Sequence, residues 1–172
     1  MKAFTVPKTY EEYIIPYLDN FIEIKVPQEK INKIKAFIPE LIEAKMQEKQ
    51  HKRNHVSEEK RWYTGLLGEA AVEEFLGIEI IDWTIGDSND YDKPDIEEIG
   101  CGIKTVEWGY FPLINYHNEY PQIICLKKSE DTVLICGIAD PEILNTYQDS
   151  NLVIIPLFRR TRTGFYGFEY LR

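Results

Sequence analysis

The chain reads as an α+β or mixed α/β protein, and three observations lead there. Apolar residues recur at three-and-four spacing through residues 28–76, the period of helices packed on one side. From residue 78 to 138 the pattern changes to short alternating or apolar runs broken by polar turns, as in strands. A helix start at Asp140-Pro141 and two further strand-like runs close the chain. Helices followed by strands imply a mixed central sheet flanked by helices. With 172 residues the chain is long enough for one domain, 1–172, in which 1–56 is an N-terminal strand and helical extension and 57–172 the main body.

In order, residues 1–20 are rich in aromatics and carry Pro7 and Pro16, and a short helix is expected around Tyr10–Leu18. Phe21–Val26 alternates apolar and charged residues and predicts a half-buried strand. Pro27 stops it and opens a helical stretch to about Gln50 on Ile31, Ile34, Ile38, Leu41, Ile42 and Met46, with a kink or break at Pro39. Ser57 is a good N-cap for a helix over Glu58–Leu76, which Gly77 ends. Strands are then predicted at Ile78–Ile85, Asp95–Ile99, Cys101–Trp108, Gln122–Lys127 and Thr132–Ile138, the last two joined as a hairpin. A short helix to about Tyr147 precedes strands at Asn151–Phe158 and Gly164–Leu171.

No apolar stretch approaches the ~20 residues of a membrane span. Met1–Pro7 lacks a signal-peptide apolar run, so the chain is expected in the cytoplasm. Cys101, Cys125 and Cys136 sit in apolar β-like segments, with no C-x-x-C pair, and read as reduced core thiols. His51 and His55 are four apart but lack a third ligand. A formal net charge of −9 argues against a protein held on nucleic acid by bulk electrostatics. Two basic clusters depart from that balance: Lys49, Lys52 and Arg53, and Arg159, Arg160 and Arg162. The plain reading of the first is a solvated connector, and the alternative is a phosphate-contacting arm.

Three residues stand out as chemistry. Glu69 lies among Trp62, Gly65, Leu66, Val72, Glu73 and Leu76 on one side of its helix at ~100° per residue, where an unpaired carboxylate is expensive. Asp95 follows Pro94 at the mouth of a strand, and Lys104 sits inside the next one, where an ammonium costs free energy unless paired. Hard oxygen ligands suit Mg²⁺ or Mn²⁺, and a lysine beside such an ion can position or deprotonate a water. The plain alternative is a β-hairpin with a turn aspartate and an edge-strand lysine.

Gly65-Leu-Leu-Gly-Glu69-Ala-Ala-Val-Glu-Glu-Phe-Leu-Gly, then Lys93-Pro-Asp95, then Gly102-Ile-Lys104-Thr, and finally Leu134-Ile-Cys-Gly-Ile-Ala-Asp140 resemble the PD-(D/E)xK nuclease superfamily over about residues 57–158. The resemblance implies a restriction-endonuclease-like core in which Asp95 and an acidic residue two before Lys104 hold the metal. Lys104 acts on the nucleophilic water, and Glu69 assists from the preceding helix. The chain departs from that pattern at Gly102, which supplies no ligand. Glu69 is the first candidate to replace the missing acid. Glu97 has the parity of Asp95 but lies about 7 Å along the strand, and Glu107 points to the other face. The backbone carbonyl of Ile103 can remain a ligand whatever its side chain.

Two functions follow as expectations. One is a Mg²⁺- or Mn²⁺-dependent deoxyribonuclease with Asp95, Glu69 and Lys104 at its centre. Lys49, Lys52, Arg53, Arg159, Arg160 and Arg162 would then contact phosphates, and aromatics of the 108–120 loop would stack on bases or pack in the core. The other is a protein that kept the fold, lost the reaction, and binds DNA or another protein; Gly102 and the acidic balance favour it. A nuclease cutting both strands often works as a homodimer, but no segment of the sequence marks an interface.

Overall fold

A computed structural model of the chain describes residues 8–46, 55–84 and 95–172. The principal sheet has four strands in the order β1-β5-β4-β2, formed by β1 (Ile22–Lys25), β2 (Gly102–Glu107), β4 (Gln122–Lys127) and β5 (Thr132–Ala139). β2 runs parallel to β4, and the other neighbours are antiparallel, so the sheet is mixed. A smaller antiparallel sheet, β3-β7-β6, is built from β3 (Leu113–Asn115), β6 (Gln148–Asp149) and β7 (Arg162–Phe165). Helices α2 (Gln28–Met46) and α3 (His55–Leu76) accompany the short α1 (Tyr10–Tyr13) and α4 (Pro141–Thr146).

Strand parity divides the core. Ile123 and Cys125 of β4 and Val133 and Ile135 of β5 face α2 and α3, meeting Ile34, Ile38, Leu67, Ala70 and Ala71. The alternate residues, Ile124, Leu126, Leu134 and Cys136, face a second cluster closed by Ile14, Ile114, Leu144, Phe165 and Phe168. β4 is buried at all six positions because it has a strand on each side and a packed layer on each face. The three thiols are free and buried, as their apolar settings predict.

Most of the expected elements are present, with four corrections. Of the kink or break expected at Pro39, the break does not occur, and α2 runs through it as one helix. Across the described part of the Ile78–Ile85 segment there is no strand, because Glu73 Oε1 accepts the backbone N–H groups of Ile80 and Ile81, each at 2.7 Å, in place of a ladder. The two strands expected on either side of Gly100 shrink on the first side to one bridge, Ile96 to Cys101, around a 3₁₀ turn at Glu97–Ile99. Asn151–Phe158 forms 3₁₀ turns, Ser150–Leu152 and Pro156–Arg160, because the Asp149 side chain accepts the Asn151 N–H (2.9 Å) and Pro156 starts a second turn. Smaller differences lie at the ends. The last strand is Arg162–Phe165, and the first helix is one turn of α-helix followed by a 3₁₀ stretch, Ile15–Asn20.

α3 starts at His55, two residues before the predicted cap, and ends as expected. Gly77 takes φ +68° there and its N–H donates to Glu73 O at 2.8 Å. The helix lies close on β2 because of Gly68. A Cβ at that position would fall 1.7 Å from Thr105 Oγ1, 2.7 Å from Thr105 Cβ and 2.8 Å from its Cγ2. No threonine rotamer clears all three, so Gly68→Ala should lower stability by about 1–3 kcal/mol, the usual cost of overpacking, in a denaturant titration. Adding Thr105→Ala should recover only part of the loss, because the Cβ of residue 105 still lies too close.

Candidate active site

β2 forms one edge of the principal sheet, and its parallel register sets which backbone groups remain available. The Gly102 N–H donates to Pro121 O at 2.9 Å and the Trp108 N–H to Lys127 O at 3.0 Å, so the even-numbered residues turn their backbone toward β4. Ile103, an odd position, turns its N–H and carbonyl to the outer edge. That N–H donates to Asp95 Oδ2 at 2.6 Å, which fixes the carboxylate beside the strand. Asp95 therefore sits next to the Ile103 carbonyl, the backbone oxygen expected to serve as a ligand.

Glu69 comes from α3 and feels the Asp95 charge. It does not lie in the middle of a buried stripe, as its sequence neighbours imply. α3 is buried round most of its circumference, and Trp62, Gly65 and Glu69 form its half-covered line opposite the fully buried Leu67. Burial and then the Asp95 charge, with a further contribution from Glu73, push the Glu69 carboxyl up to about 8. Among the described residues Glu69 has no hydrogen-bonding or ion-pairing partner.

One helical turn on, Glu73 makes the contrast. It is buried too, but it accepts from Lys30 Nζ at 2.8 Å and from the two backbone N–H groups of the following segment. Those partners outweigh burial and hold its carboxyl below the usual range. Glu73 is structural and satisfied; Glu69 is neither paired nor relieved.

Asp95 is raised as well. The residue as a whole is exposed, but its carboxyl end is crowded by the chain, and that burial outweighs the Ile103 N–H and the attraction of Lys104. Lys104 is half-buried and pushed down, first by burial and then by the Arg162 charge, against the pull of Asp95. Among the described residues it too lacks a hydrogen bond or ion pair. The Asp95 charge thus acts on both Glu69 and Lys104, and Arg162 acts on Lys104 from β7.

Of the second basic cluster, only Arg162 reaches this region. Its Nη1 donates to Asn115 Oδ1 at 2.6 Å and to Thr161 O at 3.3 Å. Arg159 instead braces its own segment, donating from Nε to Val153 O at 3.1 Å, and Arg160 is exposed on the 3₁₀ turn. Lys49, Lys52 and Arg53 lie outside the described residues. Neither alternative acid approaches the site. Glu97 is exposed on its turn, off the strand parity assumed for it. Glu107 pairs with Lys60 at 3.2 Å and Lys127 at 3.6 Å on the α3 face.

Gln122, which the sequence did not single out, lies over Gly102. The two residues are register partners on β4 and β2. A Cβ on Gly102 would lie 2.3 Å from Gln122 Oε1 and 2.7 Å from its Cδ and Nε2. Gln122 is 6% exposed, and its Oε1 is buried without a hydrogen-bond partner. The available hint is a glutamine heading an otherwise apolar run, Gln122-Ile-Ile-Cys-Leu; its pairing with Gly102 depends on a parallel register that local pattern does not reveal.

Among the described residues no group of three or more His, Cys, Asp and Glu side chains converges on one point. The oxygen donors within electrostatic reach of one another are the Glu69 and Asp95 carboxylates, and Ile103, which holds Asp95, turns its carbonyl to the same edge. All are hard oxygens, suited to an ion such as Mg²⁺ that is held by one or two carboxylates and keeps several waters. Searches against family models, curated proteins and solved structures found no match to this chain.

The Glu69 shift has a stability consequence. Its folded-state value, about 8, lies above the ordinary 4.5, so the penalty is absent below about pH 4.5 and grows until about pH 8, where both states have ionised. Glu69→Gln removes that penalty. It should raise Tm at pH 8 by a few degrees, at about 2–4 °C per kcal/mol for a chain of this size, with little change at pH 4.5. Equal shifts at the two pH values would show that the carboxyl is not destabilising.

Proposed function

We propose that the chain is a metal-dependent nuclease hydrolysing DNA phosphodiesters, with its reaction at the outer edge of β2. The observation that carries this reading is that the Asp95 charge acts on both Glu69 and Lys104, and among the described residues neither Glu69 nor Lys104 is neutralised by a partner. A fold gains nothing from two crowded carboxylates and a desolvated lysine, so their retention points to a ligand that completes them. Asp95, Glu69 and the Ile103 carbonyl would hold Mg²⁺ or Mn²⁺, which supplies Lewis acidity and a water acidic enough to ionise near neutral pH.

The residues' own parts follow from their surroundings. Asp95 is oriented by the Ile103 N–H before any ligand arrives. Lys104, with its proton affinity lowered by burial and by Arg162, can take a proton from the attacking water more readily than an ordinary lysine. Arg162, fixed through Asn115, can grip a phosphate oxygen and take up part of its charge.

A second reading, a protein that binds DNA or another protein without cutting, is favoured by Gly102 and by the net charge of −9. Incubation with plasmid and linear DNA in Mg²⁺ or Mn²⁺ separates the two. The nuclease reading expects metal-dependent cleavage that falls at least ~100-fold in Lys104→Ala and in Asp95→Ala. Absence of cleavage by the wild-type chain, or cleavage indifferent to both substitutions, rejects it. Retained DNA affinity that weakens in Arg162→Ala would then support the binding reading.

A further inference from the structure

Resting on the metal site just proposed, the geometry points to Gln122 as the residue that stands in for the missing acid, offering its side-chain oxygen to a divalent cation from β4 in place of a carboxylate on β2. Two independent observations meet here. Position 102 carries no side chain, and the space one would occupy is filled by the Gln122 carboxamide, whose Oε1 lies 2.3 Å from where a Cβ would be. That same oxygen is an acceptor with no partner on a residue 6% exposed. A buried acceptor left unpaired costs stability with no structural return, whereas an amide oxygen is an ordinary ligand for Mg²⁺, Mn²⁺ or Ca²⁺.

The direction of the side chain fits the same role. Gly102 and Lys104 share one face of β2, and Gln122, the register partner of Gly102, shares that face on β4. To cover Gly102 the side chain must lean from the interior strand toward the sheet's outer edge, where Ile103 holds Asp95. Glycine at 102 leaves free the space that the carboxamide occupies. A side chain there would push the carboxamide, the far end of a flexible side chain, out of that space, so an acid at 102 and this placement of Gln122 exclude each other.

The exclusion makes the test specific. Mn²⁺ affinity is measured by calorimetry, and folding by thermal melting, for the wild type, Gln122→Met, Gly102→Asp and the pair Gly102→Asp with Gln122→Ala. Gln122→Met keeps the volume and loses the oxygen, so affinity should fall roughly tenfold with little change in Tm. Gly102→Asp alone should displace the carboxamide with little change in Tm and bind Mn²⁺ at least as tightly as the wild type, and the paired variant should bind it as tightly as Gly102→Asp alone. Unchanged Mn²⁺ affinity in Gln122→Met, in a wild type that does bind the ion, overturns the role of Gln122 and leaves the proposed metal site standing. A wild type that takes up no Mn²⁺ overturns both.

Discussion

Among the described residues β2 has a strand on one side only, and its parallel register with β4 determines how the groups of the site are placed. The register turns the backbone of Gly102 and Lys104 inward to β4 and that of Ile103 outward. The outward N–H needs an acceptor, and Asp95 supplies it. The side chains alternate at right angles to this, so Lys104 meets the small sheet and Arg162, while Thr105 meets α3 at Gly68. A slip of one residue would exchange those faces, sending Lys104 into the helices and Thr105 toward Arg162. The site therefore exists only in this register, and the tight Gly68–Thr105 contact is one of the features that hold it.

The helix on that strand carries both costs and returns. Glu73 joins α3 to Lys30 of α2 and to the chain leaving its own C-terminus, so it stabilises three segments at once. Glu69, four residues earlier, gains no such partner and is pushed up to about 8. The two glutamates share one helix and neighbouring turns, and only their partners distinguish them. Function is expected where a local rule is broken and the rest of the fold supports the breach. Glu69, Asp95, Lys104 and Gln122 are such breaches, gathered at β2 and its neighbours.

The parts of the fold that depend on periodicity were legible in the sequence: α2, α3, the β4–β5 hairpin and the Asp140 cap, where Asp140 Oδ1 accepts the Ile143 N–H at 2.9 Å. Segments whose backbone is satisfied by a side chain were not. Ile78–Thr84 looks apolar enough for a strand, but a glutamate on the previous helix takes two of its N–H groups. Ile154, Ile155 and Leu157 look like a buried run and are exposed by 68%, 51% and 63% because Asp149 and Pro156 impose turns. The candidate residues Asp95, Glu69 and Lys104 could be named from residue type and spacing. The contribution of Gln122 could not, since it depends on two strands twenty residues apart lying in one parallel register.

Charge separates the site into two halves that cannot both be satisfied by the protein. Burial and then the Asp95 charge keep the proton on Glu69 to about pH 8. Burial and then the Arg162 charge make Lys104 hold its proton less tightly. The Asp95–Lys104 attraction acts across the two pairs, yet burial outweighs it for both residues. A divalent cation on the acidic half would relieve the first pair, and a phosphate on the basic half the second. In the proposed reaction the two ligands are bound together, each reducing the charge that the other must overcome, so binding of either favours binding of the other. A net charge of −9 opposes binding of a polyanion, so in the proposed reaction productive contact with DNA would depend on such local compensation at the edge of β2.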